Sequence, residues 1–295
     1  MYRTWVIARH TFIEAISQPI YSLLLGLGSA LLVIFMFLPF FTLGEDTVMF
    51  KSVGLDIVLL LVLLTTLFAT SRSIHEEIED RTMLTLMSKP VSRFEVLMGK
   101  YLGLSGSALL GMAILGVLLC LCTWYRVPGD YQLSNRSIDE REVTNLLNLR
   151  NAHLAGLYPS LLLTWLQVSV LAAISVAIST RFSLVVNLPA VIMIYIAGNL
   201  TRFLGDALSN DNPLLRWFGQ GIATLLPFLE VFDLRKYAVY GQIGIGDNAA
   251  ANSTPIGFIW QNTGVAVLYA GFYIAFALTV GLLIFRRREL GGNEG

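Results

Sequence analysis

Six apolar stretches dominate the chain, at residues 20–41, 53–70, 101–124, 158–180, 183–201 and 263–285. As a helix, each is long enough to cross roughly 30 Å of hydrocarbon. Lipid offers no partner for a backbone N–H or C=O, so each crossing must be helical. A composition of 55% hydrophobic and 14% charged residues is too apolar for an ordinary soluble domain of 295 residues. The expected fold class is an all-α integral membrane protein, one bundle of six transmembrane helices spanning 1–295. Formal net charge is zero, which gives no reason to expect a nucleic acid as partner. The bilayer is the first partner implied.

Basic residues at the span ends set the expected orientation. Arg72, Arg81, Lys89, Arg93 and Lys100 gather on one side with Arg181 and the run Arg286, Arg287, Arg288, and the positive-inside rule makes that side cytoplasmic. An even number of spans then puts both termini inside. Residues 1–19 are charged as far as Glu14, and the apolar run after them is too long for a signal peptide. Arg3, His10, Glu14 and Ser17 share one helical face, while Trp5, Phe12 and Ile16 lie on another. This is the pattern of a helix resting in the membrane interface, with Pro19 at the bend into the first span.

Between the second and third spans, residues 71–100 form the densest run of charge in the chain. Ser73 and Glu76 have the spacing of a capping box, and Glu76, Glu77, Glu79 and Asp80 follow where a helix N-terminus favours carboxylates. Pro90 removes a donor and disfavours helix at Lys89, so this short helix is expected to end near Ser88. Ser92 and Glu95 make a second capping box that opens the third span. The expectation is a helical elbow standing in the cytoplasm.

Within the third span Gly99, Gly103, Ser107 and Gly111 recur every four residues, a groove into which another helix can pack closely. Ser169, Ala173 and Ala177 form a similar row in the fourth. Cys120 and Cys122 are two apart on one helix and point to nearly opposite sides, which forbids a disulfide between them or joint metal ligation. On the outer side, residues 125–157 contain a helix start at Ser137 with Glu140 three residues on, from which a charged, surface-lying helix is expected. Residues 203–262 carry Pro213, Pro227 and Pro255 around the apolar run LLRWFGQGIATLLPFLEVF. Two readings stay open there: a dip into the outer leaflet and a cap over the bundle.

Little else suggests chemistry. His75, Glu76 and Glu79 imitate a zinc-protease helix but have Glu79 where the second histidine belongs, and no metal site is expected. His10 and His153 have no partner at ligand spacing and are expected to be solvated or interfacial. Asp56 lies near the outer end of its span and is expected to snorkel to the interface. The spans offer no convergent charge that would select an ion, leaving a hydrophobic or amphipathic cargo as the preferred substrate. No catalytic group is assigned.

The order of an acidic helix, Thr82, a leucine-rich turn, Ser88, Pro90, Val91, Ser92, Arg93, Gly99 and Lys100 resembles the type-2 ABC-transporter permeases, and the resemblance extends over the whole chain. It implies a permease subunit of an ATP-driven exporter in the cytoplasmic (inner) membrane. The elbow would be the coupling helix that docks into a separate ATPase subunit through Glu76, Glu77, Glu79, Asp80, Arg81 and Thr82. Ser73, Pro90, Ser92, Arg93 and Lys100 would shape the elbow. The resemblance further implies a second permease copy, most simply a homodimer. Arg81 stands where many members have glycine, which is similar to the permease of the exporter that supports nitrous-oxide-reductase maturation. No cofactor belongs to this chain: a phosphate-cradling GxxxxGK[ST] loop is missing, since Gly99-Lys100 is followed by Tyr101 and Phe94 stands at the earlier glycine position. ATP and Mg would be held by the ATPase. Two other classes remain in contention, an ion-coupled carrier and a membrane anchor or assembly factor that transports nothing.

Overall fold

The computed structural model describes residues 2–38, 46–79, 91–131, 140–207, 226–240 and 255–286. Helices account for nearly all of these, with no strand among them. Helix α1 (Tyr2–Ile16) turns at Gln18 into α2 (Pro19–Phe37). α3 (Asp46–Ser71) continues through a π-turn, Arg72–Glu76, into a last short turn, Glu77–Glu79. α4 (Arg93–Tyr131), α5 (Glu140–Ser179), α6 (Leu184–Ala207) and α7 (Ile256–Arg286) follow. Between α6 and α7 lie a 3-10 turn, Leu229–Phe232, and a second π-turn, Lys236–Tyr240.

Five of these helices, α2, α3, α4, α5 and α7, are long and apolar enough to cross a membrane. The apolar part of α6, Leu184–Leu200, is shorter; at 1.5 Å per residue it covers about 25 Å. α3 and α5 are mostly buried within the bundle, whereas α2 and α7 expose most of their surface. One core joins Leu32, Leu55, Val62, Leu115, Leu163 and Val170. The other, near the elbow, joins Ile74, Val96, Leu104, Ala173, Leu278 and Phe285.

Several helices run past their apolar stretches. Instead of a separate surface-lying helix before the fourth span, α5 is continuous from Glu140 and passes through Pro159. Nothing in Glu140–Tyr158 stops a helix, so α5 begins well before the apolar span that opens at Arg150. Ser137 lies outside the described residues. Of the segment between α6 and α7, the described part packs into the bundle: Leu229, Phe232, Ala238 and Val239 are buried, and Phe228 N–H donates to Tyr269 Oη at 2.8 Å. Residues 226–240 are therefore wedged among α3, α5, α6 and α7. The rest of the apolar run, up to Leu225, lies outside the described residues.

Arg126 shows how one helix end is satisfied from a neighbouring helix. α2 stops at Phe37 and leaves its last carbonyls without intrahelical donors. From α4, Arg126 Nη1 donates to Phe35 O at 3.0 Å and Met36 O at 2.6 Å, Nη2 donates to Leu38 O at 2.9 Å, and the guanidinium lies 5.3 Å from the Phe50 ring centroid. Cations are favoured at this end of the helix dipole. Arg126→Met is expected to destabilise the protein by about 2 kcal/mol, since charged hydrogen bonds are lost while the carbonyls stay in place. Thermal unfolding of the purified chain in detergent measures it; an unchanged midpoint would show that the clamp contributes nothing.

Candidate functional site

At the described ends of the elbow, several helices come together. The sequence suggests a new helix at Ser73, but the structure has none: α3 runs straight on, and Ser73 sits inside the π-turn. Its side chain is therefore available for another partner. Ser73, Ile74 and Ile78 are buried, so this turn presses one side against the bundle. A π-turn within a helix often marks a functional position.

Lys100 on α4 is the partner. Its Nζ donates to Ser73 O and, at 3.0 Å, to Ser73 Oγ, and lies 2.7 Å from Glu77 Oε2. The Lys100 side chain is 4% exposed and that of Glu77 25%. A buried ammonium with acceptors around it is held in one place, because any motion would strip it of them. This latch fixes the end of α3 to α4, and it gives Glu77 an internal partner in addition to its partly exposed face.

The return from the elbow is equally anchored. The capping box at Ser92 is formed: Ser92 N–H donates to Glu95 Oε2 at 2.9 Å, and Glu95 N–H donates to Ser92 Oγ at 3.2 Å. One residue on, Arg93 Nη1 donates to Phe285 O at 2.7 Å and Arg286 O at 2.9 Å, with its guanidinium 5.4 Å from the Phe285 ring centroid. Arg93 thereby caps the C-terminal end of α7 much as Arg126 caps α2. Asn187 on α6 is fully buried and donates to Ser71 Oγ at 3.1 Å and Ser175 Oγ at 2.8 Å. So α3, α4, α5, α6 and α7 all meet at the base of the elbow.

α1 occupies the glycine groove. A Cβ on Gly99 would lie 2.8 Å from Ile7 Cβ, and one on Gly103 would lie 2.5 Å from Ala8 O. Farther along, Tyr21 Oη donates to Ser107 O at 2.9 Å, and a Cβ on Gly111 would lie 3.3 Å from Tyr21 Oη. The buried stripe of α1 is Ala8, Thr11 and Ala15, while Tyr2, Trp5 and Ile13 point outward. The row in α5 is also occupied: Ser169 Oγ pairs with Ser105 Oγ at 3.2 Å, and Ala177 approaches Gly281 of α7.

Of the proposed docking residues, Glu77 is described in full. Glu76 and Glu79 are placed in the helical turns without their side chains, and Asp80, Arg81, Thr82 and Pro90 lie outside the described residues. The sequence reading missed the Lys100–Glu77 pairing, which joins residues distant along the chain, and missed Asn187. The signal for Asn187 was visible: it is the one amide in the run LVVNLPAVIM, and such a group in an apolar span turns toward the bundle.

At the opposite end one expectation needs correction. His153 is not solvated: it is 1% exposed, and both ring nitrogens lack a hydrogen-bond partner among the described residues. It faces the interior because the continuous α5 carries this turn into the bundle, beside fully buried Lys51, whose Nζ donates to Val239 O at 3.3 Å. Asp56 is exposed and also meets Arg235 Nη1 of the segment between α6 and α7 at 2.6 Å. Cys120 is half-buried and Cys122 buried, both as free thiols.

A cavity of about 540 Å³ lies between α5, α6 and α7, walled by Ile178, Phe182, Ile194, Tyr273 and Phe276, with Arg181 as its charged lining residue. No cluster of His, Cys, Asp and Glu able to hold a metal occurs among the described residues. This arrangement joins helices and shapes an apolar space. A family model described as ABC-2 family transporter protein matches residues 6–290. No curated protein matches the chain.

Proposed function

This chain belongs to the ABC-2 transporter family, whose members are membrane transport components, and on that premise we propose that it is the permease subunit of an ATP-driven exporter worked by a separate ATPase. The observation that carries the proposal is the latch of Lys100 on Ser73 and Glu77. A docked ATPase acts on the outer side of the elbow, and a latched elbow passes that movement to α3 and α4 as rigid elements. Arg93 extends the path to α7, and Asn187 extends it to α5 and α6.

The finer parts of the reading have separate support. The docking segment is Glu76 through Thr82, whose acids follow the buried turn at Ser73 and Ile74 along the chain. Six spans, with α6 as the short fifth, keep both termini and the basic elbow on the cytoplasmic side of the inner membrane, with α1 resting in the interface. ATP and Mg stay on the ATPase, and a second permease copy completes the pathway. Arg81 favours the subgroup similar to the nitrous-oxide-reductase maturation exporter. The apolar walls of the α5–α6–α7 cavity favour a hydrophobic or amphipathic cargo.

Gentle detergent purification of the tagged chain from its host, followed by mass spectrometry, tests the reading. An ABC ATPase in near-equimolar amount is the expected companion. Its absence under several mild detergents would return the weight to an ion-coupled carrier or a membrane anchor.

A further inference from the structure

The cavity between α5, α6 and α7 is a trough with a cation at one end. Its lining on α7 extends from Tyr273 to Ile284, about 16 Å at 1.5 Å per residue. That is roughly half of a 30 Å hydrocarbon layer, the depth of one leaflet. Arg181 stands at one end, in the turn between the last residue of α5, Ser179, and the first of α6, Leu184. Leu226 and Pro227 line the other end, where Pro227 O would lie 2.7 Å from a Cβ on Gly198. The Arg181 end is also the elbow end, because Asn187 in the first turn of α6 donates to Ser71 Oγ at the end of α3. The apolar stretch of α6 opens at Leu184, which puts Arg181 at the edge of the hydrocarbon.

The guanidinium is available there. Arg93 and Arg126 direct theirs onto carbonyls of a neighbouring helix. The side chain of Arg181, by contrast, is exposed and makes no hydrogen bond or ion pair among the described residues. Backbone bonds hold its turn instead, the N–H groups of Arg181 and Phe182 both donating to Ile178 O at 3.0 Å. Apart from Arg181 and Tyr273, every lining residue is apolar. The trough is open to the side, with Phe182 47% and Phe276 54% exposed, so a ligand can enter from the bilayer. Its volume of about 540 Å³ is that of a small-ligand pocket. A soluble anion would gain nothing from these walls, and a neutral hydrocarbon would gain nothing from Arg181. An acyl chain joined to an anion uses both.

We propose that the trough seats one acyl chain of an anionic phospholipid from the leaflet on the elbow side, with the lipid phosphate paired to Arg181. This narrows the amphipathic class proposed for the same cavity. Only the step from bound lipid to cargo rests on the permease reading; the seat itself requires no more than a chain that spans a bilayer.

The test reconstitutes the full chain in bilayers of equal parts phosphatidylcholine and phosphatidylglycerol, extracts it in mild detergent and counts the retained lipid by native mass spectrometry. The wild-type chain is expected to keep phosphatidylglycerol over phosphatidylcholine by about fivefold. Arg181→Gln brings the ratio to about parity, while Arg9→Gln, which removes a charge from exposed α1, leaves it unchanged. Val280→Trp puts an indole into the trough and lowers retention of both lipids at least about fivefold, because the methylenes of the chain lose their burial. Arg181 lies at the surface, so its variant keeps the test decisive should Val280→Trp fold poorly. A ratio unmoved by Arg181→Gln would overturn the phosphate pairing, and retention unmoved in folded Val280→Trp would overturn the seat. A wild-type dimer that retains no lipid and becomes a monomer in Val280→Trp would overturn the lipid in favour of a second copy of this chain. Copurification of an ATPase with no preference for phosphatidylglycerol would overturn this inference and leave the permease reading standing.

Discussion

Lys100→Met is expected to lower the unfolding midpoint in detergent by about 6–10 °C and to reduce recovery of the ATPase about tenfold. Methionine fills similar space, so the change removes the ammonium and little packing. Ser73 O and Oγ lose this donor and the Glu77 carboxylate loses the Lys100 ammonium. Breaking a fully buried pair costs several kcal/mol, but Glu77 is partly exposed and water recovers some of that loss. A net cost of about 2–3 kcal/mol corresponds to the stated shift for a chain of this size. Glu77→Gln should cost less, because its amide oxygen still accepts from Lys100. Charge reversal at Glu79 and Asp80 has the complementary signature: the ATPase is lost while the midpoint stays within about 2 °C, as expected for groups that serve docking and not the fold. A midpoint unmoved by Lys100→Met would remove the latch from the mechanism.

What the sequence discloses and what it conceals divide along physical lines. Span positions are legible because the hydrocarbon imposes length and polarity on each one, and α2, α3, α4, α5 and α7 all carry that imprint. Helix ends are less legible. A helix is free to continue past its apolar stretch, as α5 does from Glu140, and Ser73 looks like a cap only if α3 is assumed to end before it. Local pairs such as Ser92 with Glu95 can be read directly, since both partners lie within one turn. Lys100 with Glu77, Arg93 with the carbonyls of α7, and Asp56 with Arg235 cannot, because each depends on which helices become neighbours. The Gly99–Gly103 groove shows the same limit. Small residues announce a close approach without naming the helix that makes it, and that helix is α1.

Gly103→Val is the sharpest test of that approach, with an expected destabilisation of about 3 kcal/mol or more. A Cβ at this position would stand 2.5 Å from Ala8 O, 2.7 Å from Thr11 Cβ and 3.0 Å from Phe12 N. Two of those atoms belong to the backbone of α1, and no rotamer change can move them aside. The helices must separate, which exposes Ala8, Thr11 and Ala15 and exceeds the usual 1–3 kcal/mol of overpacking. α1 would then open locally, and trypsin should cleave after Arg3 or Arg9 at least about tenfold faster. Gly106→Ala is the matched control on the same helix: its Cβ would meet Phe12 at 3.4 Å, an ordinary contact. Gly264 and Gly271 on α7 have open space at this position, so alanine there should change stability by no more than about 0.5 kcal/mol. If Gly103→Val resists trypsin as well as Gly106→Ala does, α1 is not held in the groove and cannot support the turn from which α4 leaves the elbow. If only Gly103→Val is cut, the bond between α1 and the first turns of α4 becomes a second route by which movement of the elbow reaches the membrane interface, alongside the latch at Lys100.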